Sequence, residues 1–133
     1  MAPDPASGRP GPRGHGLPKT SRLVHRRDFL RVRDEGRRLA SGSVVVNWLD
    51  REDLPRGARV PLLGVITTKA LGSAVVRNRA RRRMREAFRM LRPSMSRPAW
   101  VVLIARHSMK DADAPRVARD LAAGLRKARL LPG

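Results

Sequence analysis

An α/β fold is predicted for this 133-residue chain, and three observations predict it. Residues 43–49 and 98–105 are runs of strand length dense in β-branched and other apolar side chains. Residues 73–91 repeat their apolar side chains at a helical period, and residues 114–130 do the same. Strand and helix patterns therefore succeed one another along a chain whose length suits one domain.

The elements follow in order. Residues 1–19 hold five prolines, four glycines and almost nothing apolar. Such a segment cannot bury enough surface to offset its ordering entropy, so a disordered basic tail is expected there, with a single domain over 20–133. Leu23, Val24, Phe29, Leu30 and Val32 are spread through a charged stretch that Gly36 closes, which predicts a helix over 25–35. The run 43–49 is the first strand. Pro55 and Gly57 mark 50–59 as a loop. A second strand covers 60–68, with Pro61 near its start, where a missing N–H is tolerable. Residues 73–91 form the central helix. The unbroken apolar run of 98–105 predicts a strand buried on both faces. The last helix, 114–130, places Val117, Leu121 and Leu125 on one side and Pro115 in its first turn.

Composition narrows the function. Thirty Lys and Arg stand against eleven Asp and Glu, a formal charge of +19, and almost all of the positive charge is arginine. Self-repulsion on that scale calls for a polyanionic partner. An anionic membrane is the weaker choice, because runs such as 100–105 fall far short of the ~20 apolar residues that span a bilayer. No apolar block follows the N-terminal arginines, so no secretory signal is expected, and a cytoplasmic location is. The absence of cysteine excludes disulfides, thiolate metal sites and cysteine nucleophiles.

The central helix concentrates the charge. At about 100° per residue, Val76, Ala80, Met84, Ala87, Phe88 and Leu91 fall within an arc of about 120°, a core-facing stripe. Asn78, Arg81, Arg82, Arg85, Arg89 and Arg92 fall on the opposite side, within about 100° of one another. Arg77 and Arg79 flank Asn78 in the first turn. Eight arginines between Arg77 and Arg92 face one acid, Glu86. An ordinary solvated face would carry balancing acids, and like charges at i,i+4, as in Arg77, Arg81 and Arg85, destabilise an isolated helix. Guanidinium groups offer planar, bidentate donors matched to phosphate. Helix-turn-helix spacing and Cys/His zinc ligands are both missing, which favours RNA over DNA.

Stacking platforms are scarce. The aromatics are Phe29, Trp48, Phe88 and Trp100; Phe88 and Trp100 read as structural, while Phe29 and Trp48 stay open. His15, His25 and His107 share no metal-ligand spacing. The acids Asp28, Asp34, Glu35, Asp50, Glu52, Asp53, Asp111, Asp113 and Asp120 are dispersed, and no carboxylate pair for metal-assisted phosphodiester hydrolysis stands out. No catalytic residue and no metal ligand is assigned to this chain.

The run Ala74-Val-Val-Arg-Asn-Arg-Ala-Arg-Arg-Arg-Met-Arg-Glu-Ala-Phe-Arg89 resembles the signature helix of the bacterial ribonuclease P protein component. Its flanks agree in order: Arg27-Asp-Phe29 and Gly36 before it, then Gly64-Val-Ile-Thr-Thr-Lys69, and Val101-Val-Leu-Ile-Ala-Arg106 after it. The resemblance runs from about Leu17 to Leu130. It implies a two-layer α/β sandwich, a mixed sheet with packed helices and a left-handed βαβ crossover, a hand opposite to the general rule. It implies a protein subunit that binds the catalytic RNA of ribonuclease P and the 5′ leader of precursor tRNA, assisting endonucleolytic removal of the leader. Magnesium would be held mainly by the RNA, which carries the chemistry, and neither membrane nor DNA is an expected partner.

The resemblance also assigns residues. Arg77, Asn78, Arg79, Arg81, Arg82, Arg85 and Arg89 on the helix, with Lys69 before it, would bind RNA. Phe29, Arg33 and Asn47 would line the leader cleft. Arg33 and Asn47 stand where many members carry aromatics, with Trp48 on the opposite strand face, and Ala70 replaces a frequent second lysine; leader binding would then rest more on charge and less on stacking. The competing reading is a ribosomal or other structural RNA-binding protein without a cleavage role. A phosphodiesterase acting alone lacks a catalytic set.

Overall fold

Four strands and three α-helices make up the described residues, 19–133, of the computed structural model. They run α1 (Arg26–Glu35), β1 (Arg37–Ser41), β2 (Val44–Asp50), β3 (Leu62–Ile66), α2 (Ala74–Leu91), β4 (Ala99–Ala105) and α3 (Ala114–Lys127). All but the last residue of the expected N-terminal tail lies outside the described residues. The sheet order is β1-β2-β4-β3. β2 is antiparallel to both β1 and β4, and β3 is parallel to β4, joined to it through α2. The sheet is therefore mixed, as expected.

Alternation along the strands builds a core on each face. Val44, Val46 and Trp48 of β2, Ala99, Val101 and Leu103 of β4, and Leu63 of β3 point to the face covered by α2 and α3. There they meet Ala80, Met84, Ala87 and Phe88 of α2 and Val117, Leu121 and Leu125 of α3. Leu49, Trp100 and Val102 point the other way and pack with Val32 of α1 and Leu23. β4 is thus buried on both faces because it is flanked by strands and covered by helices on either side. Trp48 is core. Trp100 is core as well, its Nε1 donating to the Arg59 carbonyl at 3.0 Å.

Most boundaries shift by one or two residues, and three differences have a physical reason. β1 has no counterpart among the expected strands: Arg37-Arg38-Leu39-Ala40-Ser41 lacks β-branched residues and turns only Leu39 and Ser41 inward, so its pairing with β2 leaves little trace in the sequence. β3 starts one residue after Pro61, whose ring nitrogen cannot donate to a ladder. α3 ends at Lys127 rather than Leu130, because Arg129 takes a left-handed φ of 62° and the chain turns back, Leu130 N–H donating to the Leu125 carbonyl at 2.8 Å.

The β1–β2 hairpin is clasped to α3. Gly42 turns at a φ of +58°, and a Cβ there would fall 2.3 Å from the Asp120 carboxyl carbon. Asp120 accepts from the backbone N–H of Ser43 at 2.8 Å and from its hydroxyl at 2.7 Å, while the Ser41 hydroxyl donates to the Asp120 carbonyl. Burial pushes the Asp120 carboxyl up. The two Ser43 bonds and the guanidiniums of Arg116 and Arg119 outweigh it and hold the group below the usual carboxylate range.

Candidate nucleic-acid interface

α2 divides its circumference as its sequence requires. Ser73 caps the N-terminus, its hydroxyl accepting from Val76 N–H, and the apolar stripe lies on the sheet with Met84 and Phe88 fully buried. Asn78 and Arg82 are exposed or nearly so, while Arg81, Arg85 and Arg89 are half-buried on the flank of that stripe. Several guanidiniums are held by neutral oxygens that leave their charge uncompensated. Arg77 Nη1 donates to the Gly72 carbonyl at 2.8 Å, Arg81 Nη1 to Thr67 Oγ1 at 2.5 Å, and Arg81 Nη2 to Asn78 Oδ1. Arg92 Nη1 donates to Ser21 Oγ at 2.5 Å.

The expected RNA-binding residues are spread over more than one side of α2 and the turn before it. Arg81, Arg82, Arg85 and Arg89 share the outer face with Asn78. Arg77 folds back on the loop before the helix. Arg79 leaves the helix about 160° from Arg81 but about 60° from Arg82, so it borders the outer face on the Arg82 side. Lys69 is exposed in the short 3-10 turn Lys69–Leu71 between β3 and α2.

One further residue at this face leaves no signal in the sequence. Arg22 precedes α1 and reaches the open edge of β3 through a single bridge to Leu63, where Leu23 N–H donates to the Leu63 carbonyl at 2.8 Å. This places Arg22 near Arg85. Burial, then the charges of Arg22 and Arg81, push the Arg85 guanidinium below its ordinary range; burial does the same for Arg22. Like charges gathered in a half-desolvated place are stabilised by an anion. No local spacing reveals the approach, because 63 residues separate the two arginines in the chain.

Beside this face lies an open groove of about 600 Å³ between α1 and β3, whose lining includes Phe29, Arg33, Ile66, Thr67 and Arg81. Phe29 rests against the backbone of β3: a Cβ on Gly64 would fall 2.3 Å from its ring carbon Cε1, so the glycine makes the seat. Arg33 is exposed and paired with Asp34, Nε to Oδ1 at 2.9 Å. The groove thus joins two of the three expected cleft residues to Arg81 of α2. Asn47 does not line it. Its side chain is 2% exposed, closed in between α1 and β1, with Nδ2 donating to the carbonyls of Val32 at 3.1 Å and Arg37 at 2.8 Å. The expectation of an open cleft position at Asn47 is corrected: a polar side chain there is spent on two buried carbonyls.

His25 and His107 are exposed and apart, and His15 lies outside the described residues. Among the described residues no group of three His, Asp or Glu side chains converges to hold a metal ion, and no helix is long and apolar enough to cross a membrane.

An α/β sandwich with an arginine-faced helix beside an aromatic-floored groove is a protein shaped for a polyanion. The ribonuclease P family model matches residues 17–129. The ribonuclease P protein component of Nocardia farcinica is 36% identical, with 88% of this chain and 86% of the relative covered. That of Gluconacetobacter diazotrophicus is 39% identical over 83% and 92%. The solved ribonuclease P protein of Staphylococcus aureus superposes with a TM-score of 0.74 at 26% identity, covering 85% of this chain and 99% of its own. That of Thermotoga maritima gives 0.68 at 28%, covering 80% and 96%. The chain belongs to the ribonuclease P protein family, RNA-binding components of a tRNA-processing ribonucleoprotein. The competing reading of a ribosomal protein gives way to this assignment.

Proposed function

We propose that this chain binds the catalytic RNA of ribonuclease P and the 5′ leader of precursor tRNA, and so assists endonucleolytic removal of the leader in the cytoplasm. The observation that carries the reading is the convergence of Phe29, Arg33 and Arg81 on one open groove that runs into the arginine face of α2. A single-stranded leader needs a ring to stack on and cations along its phosphates, and the groove offers both. The outer face, with Arg82, Arg85 and Arg89, can take the phosphates of a folded RNA at the same time.

The chemistry belongs to the RNA in this reading. Magnesium supplies the activated water and charge neutralisation there. The described His, Asp and Glu side chains do not fit a magnesium site, so no step is assigned to them. What the protein contributes is binding: neutralising phosphate repulsion between leader and catalytic RNA, and holding the leader in register. The test is a cleavage assay on precursor tRNA with magnesium. Refolded protein freed of RNA is expected to be inert, and protein mixed with the catalytic RNA to support cleavage; cleavage by the RNA-free protein would overturn the assignment.

A further inference from the structure

We infer that Asn47 is a positioning residue for the leader groove, acting through α1 and touching no RNA itself; this rests on the groove reading above. The Asn47 amide ties three elements together. It stands on β2, paired in register with Arg38 of β1 and Val102 of β4, and its side chain leaves the sheet on the α1 side. Its Nδ2 reaches the carbonyl of Val32 in the last turn of α1 and the carbonyl of Arg37 at the start of β1. Val32 itself is fully buried in the lesser core, and its carbonyl also takes the Gly36 N–H at 2.9 Å.

Those hydrogen bonds fix the part of α1 that matters. Arg33 follows Val32 directly, and Phe29 precedes it by one turn, so both groove side chains ride on the backbone that Asn47 holds. The Val32 side chain alone would leave α1 free to slide or roll on an apolar surface, since hydrophobic attraction is non-directional. Two hydrogen bonds from one planar amide remove that freedom, because they demand a distance and an angle. The ring of Phe29 needs such a fixed placement, being seated on the bare backbone of Gly64. A substitution at position 47 should therefore loosen the groove from behind.

The experiment compares binding of precursor and mature tRNA to the assembled complex, with protein saturating the catalytic RNA. Asn47→Leu keeps the approximate volume and removes both donors. Its preference for precursor over mature tRNA should fall roughly tenfold, the scale of one stacked base. In a Phe29→Ala/Arg33→Ala background the same change should lower the preference no further, since residues acting through one another are not additive. Asn47→Gln, which keeps the amide donors, should retain more of the preference than Asn47→Leu. If Asn47→Leu does not fold, Asn47→Ser takes its place with the same expectations. A folded Asn47 variant with the wild-type preference, or one whose loss is equally large in the double-alanine background, overturns the proposal. Wild-type preference in the Phe29→Ala/Arg33→Ala protein itself is a different failure: it removes the groove reading, and the proposal with it.

Discussion

Replacing Arg82 and Arg85 by alanine should move binding and stability in opposite directions. Neither residue belongs to the apolar stripe of α2, so no cavity opens. Arg85 is a half-buried guanidinium whose protonated form is disfavoured by burial and by the neighbouring Arg22 and Arg81. Removing it relieves repulsion, so the melting temperature should hold or rise, more at low salt than at high, because the repulsion is screened. Binding to the catalytic RNA should weaken. Each phosphate left without its arginine lowers the slope of log affinity against log salt by about 0.7–0.9. Removing both arginines flattens it by about 1.4–1.8, so that over a fourfold rise in salt the affinity of the wild type should drop on the order of tenfold further than that of the variant. The matched control is Phe88→Ala on the other side of the same helix. Phe88 is fully buried, and its truncation should cost about 3–5 kcal/mol, or roughly 12–20 °C in melting temperature for a domain of this size. Filter binding at four salt concentrations and a thermal melt of each protein suffice. A melting temperature that drops in the arginine variant and stays put in Phe88→Ala would mean the two faces are reversed.

The groove gives three further outcomes. Phe29→Ala should lower the preference for precursor over mature tRNA by about 1–3 kcal/mol, whereas Arg33→Phe should make that preference less sensitive to salt; unchanged salt dependence would show that Arg33 meets no phosphate. Gly64→Ala should displace the Phe29 ring, because the added Cβ would fall 2.3 Å from it; leader preference should fall to the Phe29→Ala level while affinity for the catalytic RNA is kept, as gel-shift titrations would show. The hairpin clasp predicts a pH dependence. The folded-state pKa of Asp120 lies below its unfolded value, so its contribution is present above about pH 3.9 and disappears as the pH falls through the folded value. Asp120→Asn should cost about 1–2 kcal/mol near neutral pH in urea denaturation, with the difference shrinking under strong acid; an equal cost at both pH values would rule out the ionised form as its source.

What can be read from the sequence is what repeats along it. The stripe from Val76 to Leu91 and the opposing arginines are properties of one helix, and a period of 3.6 displays them without knowledge of anything else. The central strand β4 is legible for the same reason: seven residues in succession are apolar. β1 is invisible because an exposed edge strand needs no apolar alternation, and Arg37 and Arg38 look like any charged loop. The groove needs long-range information. Phe29 meets Gly64 across 35 residues, and Arg22 comes near Arg85 only because a single bridge sets it on the edge of β3. Asn47 falls in the cleft by its place in the family pattern, and such a place carries no statement of which way a shorter side chain will turn. An aromatic ring there could not donate to the carbonyls of Val32 and Arg37, as the Asn47 amide does.

The position of the cations on the sheet joins stability to function. A four-stranded sheet has two edges, and each offers unpaired N–H and C=O groups to any passing strand. Here the β1 edge carries exposed Arg37 and Arg38, and the β3 edge carries Arg22 beside the arginine face of α2. Charge at an edge opposes pairing with a second copy, since it would set guanidinium against guanidinium. It does not oppose a polyanion, whose phosphates can accept from the same guanidinium groups. One choice of side chain thus guards the edges against strand pairing and suits a polyanion. Arginine serves this better than an acid would: both prevent edge-to-edge pairing, but a carboxylate would repel the polyanion. Among the described residues the cations lie at these edges, on the outer face of α2 and on exposed or half-buried positions of α1, α3 and the loops, and none is buried with the stripe of Phe88 and Met84, which is how so small a chain tolerates a charge of +19.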